Sequence, residues 1–92
     1  MKPLKYSKLS WQEKRTTRDL YKQEQDNKCW YCGESLDGKA RADILARSIN
    51  LRNFPLGFLD YPVHLHHDHV TDLTIGAVHA YCNAVLWQYE KK

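Results

Sequence analysis

Glycine and proline are scarce in this chain, with four and three among 92 residues. That excludes a collagen-like repeat and a low-complexity chain. No apolar run approaches the roughly 18 residues that a membrane span needs. The opening stretch, MKPLKYSKLS, holds no apolar segment of the kind a secretory signal carries, so a reducing cytoplasm is the expected compartment. Cysteine is limited to Cys29, Cys32 and Cys82. An odd count does not fit a secreted disulfide framework, whereas a CxxC in a cytoplasmic chain fits metal or redox chemistry. Acidic charge is nearly missing from residues 1–18. There Lys2, Lys5, Lys8, Lys14, Arg15 and Arg18 stand against Glu13 alone, a local net of +5 in a chain of net +3. A basic arm on a near-neutral body suits a polyanionic partner, and a solvated tail that aids solubility would read the same way.

What is present is concentrated. A chain this short buries only about 60–65% of its unfolded surface, so its core needs a supplement such as a metal, a disulfide or a partner. All five histidines fall between His64 and His79. The pattern predicts one domain over residues 10–92, preceded by a basic, flexible arm over residues 1–9. Ser10-Trp11-Gln12-Glu13 fits a capping box, with a helix from about Trp11 to Gln25. Cys29 to Gly33 reads as a turn, and residues 40–51 as a short amphipathic helix. Phe58–Leu65 and Leu73–Val78 read as two short strands around a polar loop, and His79–Glu90 as a closing helix.

Two constellations carry chemistry. The first pairs CxxC at Cys29 and Cys32 with HxxC at His79 and Cys82. Tetrahedral zinc takes four such ligands, and Gly33 tolerates the left-handed backbone of a zinc knuckle. The 46 residues between the pairs mean that one ion would clamp distant parts of the chain together, so that binding energy becomes folding energy. The alternative is a redox CxxC with Cys82 as a core thiol, although no thioredoxin-like βαβ pattern surrounds it. The second is Val63-His64-Leu65-His66-His67-Asp68-His69. Four imidazoles and a carboxylate suit metal ligation and proton transfer. A second zinc site or a plain histidine-rich loop would use the same residues.

His64-Leu65-His66-His67-Asp68-His69, followed by His79-Ala80-Tyr81-Cys82-Asn83-Ala84 and preceded by CxxC, resembles the ββα-metal motif of the HNH endonuclease superfamily. Within it the order is most similar to the phage recombination endonuclease VII-like branch, over residues 18 to 90. Residues 38–60 form an insertion longer than usual there. The resemblance implies an α+β fold: a small zinc-stabilised ββα-metal (His-Me finger) domain with an N-terminal helix. His67 matches the general base and Asn83 the amide ligand of a catalytic divalent metal. His66 stands where the branch has an aspartate ligand, and His69 in a supporting or phosphate-contacting place. Cys29, Cys32, His79 and Cys82 match the structural zinc ligands. His66 in place of aspartate shifts the expected catalytic ion from Mg²⁺ toward Mn²⁺, Ni²⁺ or Zn²⁺. His79 replaces a cysteine, which zinc tolerates. Ile75 and Ala77 stand near the place of the branch's Arg-Gly, so a local phosphate-contacting arginine is missing.

Successive strand residues face opposite sides, so His66 and His67 must lie at a strand end to serve one site; otherwise Asp68 supplies the metal ligand. The expectation is a metal-dependent nuclease that nicks double-stranded DNA, encoded by a phage or mobile element and acting in the host cytoplasm as a monomer or weak homodimer. Lys5, Lys8, Lys14, Arg15 and Arg18 would hold the DNA backbone, and no membrane is involved. The competing expectation is a zinc-stabilised DNA-binding module without catalysis.

Overall fold

The first helix begins where the capping box places it. Ser10 Oγ accepts from the Glu13 amide, and the Glu13 carboxylate accepts from the Ser10 amide at 2.8 Å. The computed structural model describes residues 1–91. Helix α1 spans Trp11–Glu24 and shows two faces. Thr17 and Tyr21, four residues apart, are its buried residues. Trp11, Lys14, Arg15 and Arg18 recur at the same helical spacing on a separate, more exposed stripe. Asp26 and Asn27 take left-handed backbone and end the run.

Helix α2 is short, Ala42–Leu45. The helix expected over 40–51 stops there: the Arg47 amide turns back to the Ile44 carbonyl, and the carbonyls that follow bond to side chains of the C-terminal helical segment. Tyr81 donates to the Arg47 carbonyl, and Tyr89 and Gln88 donate to the Ser48 carbonyl. Strands β1 (Val63–His67) and β2 (Thr74–His79) form an antiparallel pair. The first strand begins at Val63 and not at Phe58. Pro62 has no N–H for a ladder, and its carbonyl accepts from Ala80 at 2.9 Å. The expected polar loop gives up His66 and His67 to β1, with a register shift between them. Helix α3 covers Ala80–Val85 and continues as a π-helical turn over Leu86–Glu90.

Residues 1–9 are not a free arm. Leu4 O accepts from the Thr74 amide, Tyr6 N donates to Asp72 O at 2.8 Å, and Lys5 bridges to Leu73. Thr74 is buried, and its hydroxyl joins Leu4 N and Tyr21 OH, tying the N-terminus, α1 and β2 at one point. The result is an α+β domain of helices around a two-stranded antiparallel sheet. Its core gathers Tyr21, Leu36, Ile44, Val78, Val85 and Leu86 with the three cysteines. No helix among the described residues is long and apolar enough to cross a membrane.

Candidate functional site

The two halves of the zinc pattern meet in the core. Ligand atoms of Cys29, Cys32, His79 and Cys82 all lie within 4.8 Å of one another, and all four residues are buried. His79 Nδ1 is 3.5 Å from Cys32 Sγ and 3.6 Å from Cys82 Sγ. A tetrahedron with zinc–sulfur bonds of about 2.3 Å and zinc–nitrogen bonds of about 2.0 Å has sulfur–nitrogen edges of about 3.5 Å, so the spacing fits that ion. His79 Nε2 donates to the Ser35 carbonyl at 2.8 Å, which leaves Nδ1 as the acceptor facing the thiols. The knuckle is local: Gly33 has φ +82 and its amide donates to Cys29 O. The Cys29 thiol is held down to about 4, first by the Cys82 thiol and then by backbone amides of Cys32, His79 and Tyr31, against the opposing effect of burial. The shared proton pushes Cys82 up correspondingly. A thiolate at neutral pH is the form that binds a metal.

The histidine cluster is organised around Asn83, the residue after Cys82. Asn83 Nδ2 donates to His64 Nδ1 at 3.1 Å, and its Oδ1 lies 3.1 Å from His66 Nδ1. His64 and His66 share a strand face by their spacing of two, and both reach α3. His66 is 1% exposed. His67 follows the register shift and stacks on Tyr6, with ring centroids 3.7 Å apart and an interplanar angle of 6°. His69 meets His67 edge-on at 4.5 Å and lies over Trp87 at 3.4 Å. Burial, with the neighbouring His69 and His66, lowers His67 to about 4, so its ring is neutral at pH 7. Burial also lowers His64 and His69.

A cleft of about 570 Å³ opens beside these groups, with neither His66 nor His69 in its lining. His64, His67 and Asn83 line it together with Lys14, Arg15 and Arg18 of α1. The expected site is therefore assembled in part. His67 and Asn83 reach the cleft, whereas His66 sits in the core beside Asn83 and is not in the lining. Asp68 folds its own loop: its carboxylate accepts from the Val70 and Thr71 amides at 2.8 and 3.0 Å. Of the five expected DNA-contacting residues, Lys14, Arg15 and Arg18 line the cleft. Lys5 donates instead to the Thr71 carbonyl, and Lys8 lies in the turn Tyr6–Lys8, away from the lining. Sequence reasoning assigned no role to His64 or Tyr6. The spacing of His64 and His66 on one strand signals the first; nothing in the sequence signals the second. No family model, curated protein or solved structure matches this chain.

Proposed function

We propose that the cleft is the active site of a metal-dependent endonuclease of the HNH type acting on DNA. The observation that carries the reading is the meeting, in one cleft, of a neutral histidine, the amide of Asn83 and three cations of α1. Lys14, Arg15 and Arg18 would hold phosphates electrostatically. His67 is buried enough to stay unprotonated and open enough to reach a water. It would take that water's proton as the water attacks phosphorus. Tyr6 and His69 hold its ring between them.

His66 and Asn83 would hold the divalent ion. The two side chains already face each other, the His66 ring N–H donating to the Asn83 amide oxygen at 3.1 Å, a contact that an ion held by both would replace. Such an ion supplies charge stabilisation for the transition state and leaving oxygen. The Cys3His cluster would hold structural zinc, fixing the start of α3 and with it Asn83.

The test is nicking of supercoiled plasmid by zinc-loaded protein with added Mg²⁺, Mn²⁺ or Ni²⁺, or with EDTA, beside His67→Ala. The expected result is open-circle product that needs an added ion. It should fall by about 10²–10⁴ in a folded His67→Ala variant. An absence of product with every ion, from protein that still binds DNA, would instead favour the zinc-stabilised binding module.

A further inference from the structure

The cleft holds more aromatic surface than a phosphate backbone can use. Besides the α1 cations it is lined by Phe54 and Phe58, from the insertion whose role the sequence leaves open. Their rings tilt together with centroids 4.7 Å apart, and Phe58 meets His64 edge-on at 4.6 Å. Both are only half-buried, and neither belongs to the core cluster. They are therefore not spent on packing the body of the domain, and Phe58 leads directly to the histidines.

A closed duplex hides the faces of its bases in the stack. It offers a protein only phosphate, sugar and groove edges. An unpaired strand exposes the base face, and stacking on an aromatic side chain is worth about 1–3 kcal/mol per base. Aromatic carbon beside cations is the arrangement that recovers both terms. The volume of about 570 Å³ also falls within the roughly 300–1,000 Å³ of sites for small ligands, which is room for a nucleotide.

We propose that the cleft seats an unpaired nucleotide of a single-stranded nucleic acid, its base on Phe54 and Phe58 and its phosphate on Lys14, Arg15 and Arg18. This rests on the nuclease reading of the same cleft and narrows its substrate to strands unpaired at the point of attack.

The experiment uses the full-length, zinc-loaded chain with no added divalent ion, read by fluorescence anisotropy. Its probes are a labelled oligo-dT strand of about 12 nucleotides and a fully paired hairpin of equal length whose stem is closed by a linker without nucleotides. The strand is expected to bind at least about tenfold more tightly than the hairpin. Phe58→Leu keeps the bulk and removes the ring. It should cost the strand about tenfold and leave the hairpin unchanged, whereas Arg15→Gln with Arg18→Gln should weaken both probes. Zinc content and circular dichroism establish folding, and Phe54→Leu is read in the same way if Phe58→Leu does not fold. An oligo-U strand run in parallel tells which sugar the cleft accepts; binding of either strand that depends on the phenylalanines supports the assignment. Equal affinity for strand and hairpin, or strand binding indifferent to the ring, overturns it. Plasmid nicking together with that indifference leaves the nuclease and removes the subsite. Ring-dependent strand binding without nicking removes the nuclease and leaves the subsite.

Discussion

The Cys3His cluster and the histidine-lined cleft touch at adjacent residues, Cys82 and Asn83, yet they are built on opposite terms. Every ligand of the cluster is buried, and its histidine is oriented by a carbonyl behind it. Nothing in that arrangement leaves room for a reactant, which is how a structural site differs from a catalytic one. The cleft is open, and its histidines are half-buried and held by ring contacts. His67 lies between Tyr6 and His69, and His64 lies against Phe58. A metal ion in the closed cluster would fix the position of α3, and under the nuclease reading the open cleft would use the side chain that α3 presents next. Breaking each in turn tests whether this division is real.

The largest effect is expected from the closed site. Zinc contributes about 10–16 kcal/mol to folding in small zinc-finger peptides. A domain of this size has a total stability of about 5–15 kcal/mol. Removal of the ion should therefore unfold the chain outright. Chelation, or Cys82→Ser, is expected to abolish the cooperative thermal transition and most of the helical circular dichroism signal. An unchanged melting curve in metal-free protein would show that the core stands without the cluster.

His67→Ala should do the reverse. It should cost nicking about 10²–10⁴, roughly 3–5 kcal/mol in barrier, while zinc content and fold persist. Loss of both together would make the cleft part of the structural site and erase the comparison.

The two regions were unequally legible. Zinc ligation is written in side chains at fixed spacings, and Cys29, Cys32, His79 and Cys82 come together as that spacing implied. The Ser10 cap and the Gly33 knuckle are equally local and equally readable. The cleft depends on contacts that leave no such mark. Apart from the Thr74 hydroxyl on Leu4 N, residues 4–6 are held through backbone groups of Asp72 and Thr74, which any residue could provide, so the segment reads as a loose basic arm. Tyr6 reaches His67 only as a consequence. The helical pattern over 40–51 ends at Leu45, and the chain beyond it is held by distant hydroxyls of Tyr81 and Tyr89 on the Arg47 and Ser48 carbonyls. The order of His64, His66 and Asn83 was visible, but which of them faces the cleft depends on the packing of α3 against β1.

A smaller effect sits on the seam between the regions. Gly76 lies on β2 against the knuckle, where an added Cβ would stand 2.7 Å from Gln25 Oε1 and 3.1 Å from Trp30 Cβ. The Gln25 amide clasps both the N–H and the carbonyl of Ala77, each at 2.9 Å. Gly76→Ala must push that clasp aside, at an expected cost of about 1–3 kcal/mol. A urea midpoint lowered with an unchanged slope would check it. An unshifted midpoint would mean that Gln25 and Trp30 yield freely and that the seam is soft.

The smallest expected effect separates the two regions by pH. His67 titrates near 4 in the folded chain and near its ordinary 6.5 when unfolded. Between those values the unfolded chain binds more protons, so stability is fully present above about pH 6.5 and falls as pH drops toward 4. The group is partly exposed, so solvent screening cuts this contribution well below its full linkage value. A protonated ring would also recover some attraction from the Tyr6 face it stacks on. Acid attacks the cluster too, because its thiolates must stay deprotonated to hold zinc. That loss is common to wild type and His67→Gln and cancels in their difference. The urea midpoint is therefore expected to fall more steeply from pH 6.5 to 4.5 in wild type than in His67→Gln. Parallel curves would leave the acid sensitivity to the cluster and to His64 and His69, and would leave His67 as a histidine of ordinary basicity.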